Sequence, residues 1–202
     1  MMRRLVGSEM CIRDSHVMVE QACDDLAGVS ASQVEMQSGI QFYDGITTAE
    51  IQEILIRSAS DLISLDHPNY QFVAARLLLF ALRKQLYGRM HDTPTVKAHI
   101  NRCVDRGVYD AEILNLYSDE ELDKFDSIID HQRDYLFTYA GLRQVVDKYL
   151  VQDRSSGSLY ETPQFMYLLI AATIFSKYPK ETRLDYVKTV SYTHLTLPTT
   201  TP

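Results

Sequence analysis

The sequence predicts a mainly α-helical fold with one short β-hairpin, on the basis of three observations. Apolar residues recur at helical spacing in most segments of the 202-residue chain. Helix-start and helix-end signals separate these segments, among them Thr47 followed three residues later by Glu50. Alternating apolar residues instead surround one Ser-Ser-Gly turn, a pattern typical of paired strands.

The first predicted helix begins in the segment TTAEIQEILIRSASDLISL. Thr47 and Glu50 form a capping box, in which each side chain binds the other residue's backbone N–H. The apolar residues of the segment share one helical face: Ile51, Ile54, Leu55, Leu62 and Ile63. We therefore expect a well-defined helix start and one buried face.

The second predicted helix lies in HPNYQFVAARLLLFALRKQLYG. Pro68 suits its first turn, and Arg83, Lys84 and Gly88 are typical of its end. Its middle is apolar on most sides, which predicts burial between neighbouring elements. The polar stretch RMHDTPT follows and is broken by Pro94. We place a domain boundary here, between residues 88 and 89.

Three more helices and the hairpin are predicted beyond that boundary. VKAHINRCVDRGVYD is predicted to be a helix that ends near Gly107. SDEELDKFDSIIDHQRD begins at Ser118 with acidic residues in its first turn, where the helix dipole favours them. In KYLVQDRSSGSLYE, residues 149–152 and 158–161 are expected to pair. After Pro163, QFMYLLIAATIFSKY is predicted to be a buried helix.

The charge balance argues against nucleic-acid binding. The chain has 20 Lys and Arg residues against 27 Asp and Glu, a net charge of −7, so it lacks a bulk positive field. An anionic ligand would need local basic groups. The longest apolar stretches, such as residues 165–175, are too short to span a bilayer. We expect a cytoplasmic chain without a membrane segment.

Both ends of the chain carry a pattern of foreign origin. MCIRDS, at residues 10–15, back-translates to the DNA word AGATGTGTATAAGAGACAG. The reverse complement of that word, in another frame, encodes VSYTHL at residues 190–195. The word resembles the transposon end used in sequencing-library adapters. We therefore expect residues 1–15 and 189–202 to be adapter-derived artefacts.

A signal peptide is the alternative for the first 15 residues, but Gly-Ser-Glu at residues 7–9 interrupts its apolar run. Without the two ends, 17 basic and 25 acidic residues remain, a net charge of −8. Cys11 is removed as well. Cys23 and Cys103 then stand far apart, without a CxxC motif or a Cys/His cluster, and are expected to be inert reduced thiols.

The segment IDHQRD is the first candidate for chemistry. His131 lies between Asp130 and Asp134, with Arg133 beside them, and a His–Asp pair can bind a metal or transfer protons. No second histidine lies at ligand spacing. A structural cluster of ion pairs and hydrogen bonds is the favoured interpretation, and a metal-dependent phosphohydrolase is the alternative.

Thr48 and Lys84 are the other candidates. Thr48 occupies the first turn of a predicted helix, where N–H groups and the helix dipole favour phosphate, although it could simply support the cap beside it. Lys84 follows Phe80 by four residues, so an aromatic ring and an ammonium share one helix face that could hold a nucleotide. A lysine at this position is more often only solvated.

Three long segments carry a family resemblance: VSASQVEMQSGIQFYDGITTAEIQEILIRSASDLIS, NYQFVAARLLLFALRKQLYG, and KYLVQ followed by GSLYETPQFMYLLIAATIFSKYPKETRLDYVK. They resemble, in colinear order over residues 16–188, the N-terminal region of the large (alpha) subunit of class I ribonucleoside-diphosphate reductase. The resemblance implies a partial ATP-cone domain, a helical bundle, at residues 16–88. It implies the N-terminal helical part of the catalytic domain at residues 89–188.

The resemblance also implies a function and its sites. The family reduces ribonucleoside diphosphates to deoxyribonucleotides for DNA synthesis, and its cone binds ATP or dATP as an allosteric effector. Its nucleotide contacts fall on Thr48 and Lys84 here, whereas Gln52 stands where the family has a histidine. Glutamine can donate a hydrogen bond but carries no positive charge. The expected partners are a metal-bearing small (beta) subunit, a second alpha subunit, and thioredoxin or glutaredoxin as reductant.

No catalytic residue and no metal ligand is expected in this chain. Cys23 and Cys103 match none of the family's radical or redox cysteines, so the chain alone is expected to be inactive. The alternative function is a helical protein-interaction module without nucleotide binding, which the acidic, helix-rich composition would also suit.

Overall fold

A computed structural model of the chain describes residues 14–39 and 46–196. Most of the first predicted artefact, and the last residues of the second, lie outside these ranges. The described residues are mainly helical with one two-stranded hairpin, as predicted. The helices are residues 14–23 (α1), Ala31–Gly39 (α2), Thr48–Asp61 (α3), Tyr70–Tyr87 (α4), Val96–Asp105 (α5), Ile113–Leu116 (α6), Asp119–Ile128 (α7), Tyr139–Lys148 (α8), Pro163–Phe175 (α9) and Lys180–Thr196 (α10), with a 3-10 helix at His131–Leu136. The strands are Gln152–Asp153 (β1) and Ser158–Leu159 (β2).

The chain forms two compact units that are not continuous in sequence. The first unit contains the residues up to Lys84 together with Tyr135–Arg143. The second unit contains Gln85–Asp134 and the residues from Gln144 onward. The sequence predicts a single cut between residues 88 and 89, and a local pattern gives no sign that a later segment belongs to the earlier unit. These units do not test the predicted boundary between the two family domains at residues 88 and 89, which stays a prediction.

The core of the first unit is built on α4. Ten of its residues are buried, which agrees with the apolar pattern on most of its sides. Helix α3 packs against α2 and buries Ile51 and Leu55 of the predicted face. It also buries Ile56, which the prediction left out, whereas Ile63 of the predicted face is 39% exposed because it lies beyond the end of the helix. Each such aliphatic side chain contributes about 1.5–3 kcal/mol when fully buried. At the start of α4, the hydroxyl of Tyr70 accepts a hydrogen bond from the amide of Ser30 at 3.0 Å.

The later segment of the first unit is held by an aromatic anchor, Tyr135. The Cζ atoms of Arg76 and Arg83 lie 5.6 and 5.4 Å from the centroid of its ring, within the range of cation–π attraction. Phe80 contacts the same ring edge-on, with 6.0 Å between centroids. Arg83 is only 1% exposed and donates a hydrogen bond from Nη1 to the Tyr135 hydroxyl at 3.3 Å.

The second unit has a continuous apolar core to which α5, α7, α9 and α10 contribute. Phe165 and Leu168 of α9 are almost completely buried there, as the sequence predicts for this helix. An ion pair is also buried: Arg183 of α10 donates from Nε to Glu121 Oε1 at 2.6 Å, and its Nη2 binds the other carboxylate oxygen. The Arg183 Nη1 group also donates to the Ser176 carbonyl at 2.9 Å.

The hairpin forms where the sequence predicts it but is shorter. Gln152 pairs with Leu159 and Asp153 with Ser158. Residues 149 and 150 cannot join the ladder because their amides bind the Val145 carbonyl at the end of α8. Gly157 closes the turn with a φ of 71°, a conformation that favours glycine.

Helix α10 continues without a break past Lys188, where the adapter-derived tail is predicted to begin. Tyr192 donates a hydrogen bond from its hydroxyl to the Ile128 carbonyl at 3.1 Å, so this part of the tail packs on the second unit. The foreign origin of the tail stays a prediction. No helix among the described residues is long and apolar enough to cross a membrane.

Candidate functional site

Thr48 is the first residue of α3 and is exposed, as its predicted role requires. The capping box is confirmed: the Glu50 amide donates to Thr47 Oγ1 at 3.3 Å, and the Thr47 amide donates to the Glu50 carboxylate at 2.8 Å. The positive end of the helix dipole therefore lies at Thr48. The Glu50 carboxylate occupies the same helix end, and its charge opposes the binding of a phosphate there.

Gln52 lies one turn after Thr48 on the same helix face. Its side chain is half-buried, and its Nε2 atom is buried without a hydrogen-bond partner among the described residues. An unsatisfied buried donor costs about 1–3 kcal/mol, and such groups are rare in native proteins. Within the described ranges the same holds for Ser58 Oγ in the first unit and Thr162 Oγ1 in the second, so an unsatisfied buried atom is not specific to the candidate site.

Lys84 lies in the last turn of α4 and is half-buried. Phe80, one turn earlier, is only 2% exposed and packs on Tyr135. The expectation that Phe80 offers an open aromatic platform beside Lys84 is therefore wrong, because the ring is used in the core of the unit. Thr48, Gln52 and Lys84 all belong to the first unit.

The side chains of IDHQRD do not converge on a common site. Asp130 accepts from the Gln132 amide at 3.0 Å, and the buried Asp134 accepts from Gln164 Nε2 at 2.9 Å. Arg133 donates to the Tyr192 carbonyl at 2.7 Å, with its Cζ atom 3.9 Å from the Tyr192 ring. Within the described ranges, no group of His, Cys, Asp and Glu residues could hold a metal ion. These contacts support a structural role for this segment over a metal-dependent phosphohydrolase site.

No local sequence pattern predicts the buried polar network of the second unit. Glu161 is 2% exposed and accepts hydrogen bonds from the Tyr109 hydroxyl and from the Val151 amide at 2.8 Å. The Tyr109 hydroxyl also lies 3.1 Å from His99 Nε2. Because Tyr109 donates its proton to Glu161, we assign the second hydrogen bond to a proton on His99 Nε2.

Burial sets the charges in this network. It raises the pKa of the Glu161 carboxyl, against the effect of the Tyr109 and Val151 hydrogen bonds. It lowers the pKa of His99 to about 3, with a further contribution from the nearby Arg102, so the ring is neutral at pH 7. His99 also stacks on Phe165, with 3.9 Å between ring centroids. The network joins α5 to the end of the hairpin and has a structural role.

The two cysteines in the described residues are free thiols, as the sequence predicts. Burial raises the pKa of Cys23 to about 11 and raises that of Cys103 as well. Both are therefore protonated at neutral pH, and a thiol, unlike a thiolate, is a poor nucleophile. Neither one has the environment of a reactive cysteine.

Comparison with known families gives two matches. The ATP cone domain matches residues 15–85, which include Thr48, Gln52 and Lys84. The all-alpha domain of ribonucleotide reductase matches residues 135–197 and so extends beyond Lys188.

Individual relatives agree with these matches. The ribonucleoside-diphosphate reductase subunit alpha of Haemophilus influenzae is 51% identical over 173 residues, which cover 86% of this chain and 23% of the relative. Subunit alpha of reductase 1 from Escherichia coli is 48% identical over 188 residues, or 91% of this chain and 25% of the relative. The reductase subunit alpha of Enterobacteria phage T4 is 43% identical over 178 residues. The chain belongs to the ribonucleoside-diphosphate reductase alpha-subunit family, and it spans about a quarter of the length of these relatives.

Proposed function

We propose that this chain is part of the large subunit of a class I ribonucleoside-diphosphate reductase, and that its first unit carries part of an allosteric site for ATP or dATP. The observation that carries the proposal is the ATP-cone match over residues 15–85, since these residues contain both predicted nucleotide contacts. The same match favours a nucleotide role over a helical interaction module without one. The intact subunit would reduce ribonucleoside diphosphates to deoxyribonucleotides.

Three side chains would each make a different contact with the nucleotide. Thr48 supplies a hydroxyl and the positive end of α3 to a phosphate oxygen. Lys84 supplies a positive charge from the last turn of α4. Gln52 would donate to a phosphate or ribose oxygen from Nε2, for which the described part of the chain offers no partner. Because glutamine is neutral, the affinity for phosphate would be lower than with a protonated histidine at this position.

Allosteric regulation of the intact enzyme would depend on a difference between the binding of ATP and the binding of dATP. ATP and dATP can act as opposing effectors only if each favours a different arrangement of domains or subunits. In the intact enzyme, these arrangements would involve the small (beta) subunit and a second alpha subunit. Thioredoxin or glutaredoxin would supply electrons. No described residue of this chain is assigned a catalytic role, so we expect no reductase activity when the chain is mixed with a competent small subunit.

Nuclear magnetic resonance titration of the isotope-labelled chain with ATP and with dATP tests the proposal. The expected result is a weak, saturable shift of the Thr48, Gln52 and Lys84 amide signals. Lys84→Ala should lower the affinity several-fold, as expected for the loss of a charged hydrogen bond. Lys188→Ala, which removes an exposed lysine from the second unit, is the matched control and should leave it unchanged. Shifts confined to other residues, or equal affinities for the two variants, would refute the site.

A further inference from the structure

An open apolar groove of about 520 Å³ lies in the second unit, beside the Glu161 network. Residues around α6, the hairpin and α9 line it. Three of its side chains are large, apolar and exposed: Tyr149 at 60%, Ile170 at 47% and Ile174 at 58%. Contiguous exposed apolar surface of this kind usually marks a binding site.

The charges of the groove all have one sign. Asp110 and Glu112 lie at its exposed edge, and the buried Glu161 lies against it. Among the described residues that line the groove, none is basic. Glu161 accepts hydrogen bonds from Tyr109 and Val151, but no cation in the described parts of the chain pairs with it. A buried carboxylate without a counter-charge is costly, and a cation brought by a ligand would reduce that cost.

The shape of the groove favours a helix as its occupant. Ile170 and Ile174 are four residues apart on α9 and form a ridge along that helix. Aliphatic side chains at helical spacing on a second helix can pack on both sides of such a ridge. A lysine or arginine on the same helix would meet the exposed carboxylates of Asp110 and Glu112.

We propose that this groove docks an amphipathic helix carrying aliphatic side chains and a lysine or arginine, supplied by the part of the longer reductase subunit that this chain does not contain. The chain spans only 23% of the Haemophilus influenzae relative, which leaves most of that polypeptide as a source for the helix. Charge complementarity and the exposed aliphatic ridge select this occupant. The proposal rests on family membership and is independent of the nucleotide site.

The test uses the complete 202-residue chain and overlapping peptides of about 20 residues, long enough for several helical turns. The peptides cover the part of the Haemophilus influenzae subunit outside the aligned region. We expect the chain to bind a peptide with apolar residues at helical spacing and at least one lysine or arginine. Ile174→Asp should weaken this binding by about tenfold or more, as for a central apolar anchor. Leu65→Asp makes the same kind of change at a fully exposed leucine of the first unit, and it should have no effect.

A second pair of variants tests the charge. Glu112→Lys reverses an exposed charge at the groove and should weaken binding several-fold, whereas Asp185→Lys reverses an exposed charge on α10 and should not. Replacing the basic residue of the bound peptide with glutamate should reverse the difference between these two variants, because the lysine introduced by Glu112→Lys attracts the peptide glutamate and the Glu112 kept in Asp185→Lys repels it. Light scattering measures the oligomeric state and so tests the alternative that a second copy of this chain occupies the groove. The proposal is overturned if no peptide binds, if Ile174→Asp and Leu65→Asp behave alike, or if Ile174→Asp only dissociates a dimer of the chain.

Discussion

A buried ion pair in the second unit and a buried amide in the first unit differ in whether their polar atoms have hydrogen-bond partners. In the second unit, Arg183 and Glu121 satisfy each other and are 4% and 7% exposed. In the first unit, Gln52 keeps its Nε2 atom buried and without a partner among the described residues. A satisfied buried pair stabilises one arrangement of helices, whereas an unsatisfied donor is a cost that a ligand can remove. The difference supports a structural role for the ion pair. The proposed binding role of Gln52 depends on its position one turn after Thr48, since Ser58 and Thr162 also have unsatisfied buried atoms in the described ranges.

The largest expected effect is the loss of the buried ion pair. Glu121→Ala leaves the Arg183 charge buried without its partner and should lower the free energy of unfolding by about 3–5 kcal/mol. Urea unfolding followed by circular dichroism measures this change. The control is Asp119→Ala, which breaks the exposed pair with Lys97 and should cost at most about 1 kcal/mol. Equal losses in the two variants would show that burial does not determine the strength of the pair.

Acid unfolding should depend on the same pair. The Arg183 guanidinium holds the pKa of Glu121 at about 2, below its usual value of 4.5. Glu121 therefore stabilises the fold at any pH above about 4.5, and this stabilisation is lost as the pH falls from 4.5 towards 2. Unfolding free energies measured across this range should fall less steeply in Glu121→Gln than in the unchanged chain. Parallel curves for the two proteins would contradict the assignment.

Glu161 should show the opposite pH dependence. Burial raises its pKa, so the folded state binds this proton more tightly than the unfolded state does. The contribution of Glu161 to stability is therefore greatest at low pH and declines as the pH rises through its folded pKa. In Glu161→Gln this decline should be absent, as measured by unfolding free energies from pH 4.5 upward. An unchanged slope above pH 4.5 would show that Glu161 is ionised as easily in the folded state as in the unfolded chain.

The smallest effects concern two glutamines and sharpen the comparison between the units. Gln164→Leu removes the hydrogen bond to the buried Asp134 and should cost about 1–3 kcal/mol. Gln52→Leu removes a donor that has no partner among the described residues and should change stability by less than about 1 kcal/mol. Thermal unfolding without nucleotide measures both. A large loss in Gln52→Leu would mean that this side chain is structural, which would weaken its proposed binding role.

Much of the secondary structure follows from local patterns. The capping box at Thr47, the helix start at Ser118, the helix after Pro163 and the turn at Gly157 depend on residues only a few positions apart. For such features the sequence contains both partners within one short window. The candidate residues Thr48 and Lys84 come from position and family resemblance, and their binding role remains a prediction.

The amino-acid sequence by itself determined the helical class, the helix starts, the place of the hairpin and the family, because each depends on local chemistry or on long colinear similarity. Only the tertiary structure decided which distant residues meet. Tyr135 lies 52 residues after Arg83, and Glu161 lies 52 residues after Tyr109. It also decided that Phe80 is buried and that Gln52 Nε2 has no partner within residues 14–39 and 46–196. Such pairings depend on how whole helices pack, and the free energy of packing is shared among many side chains that no short sequence window contains.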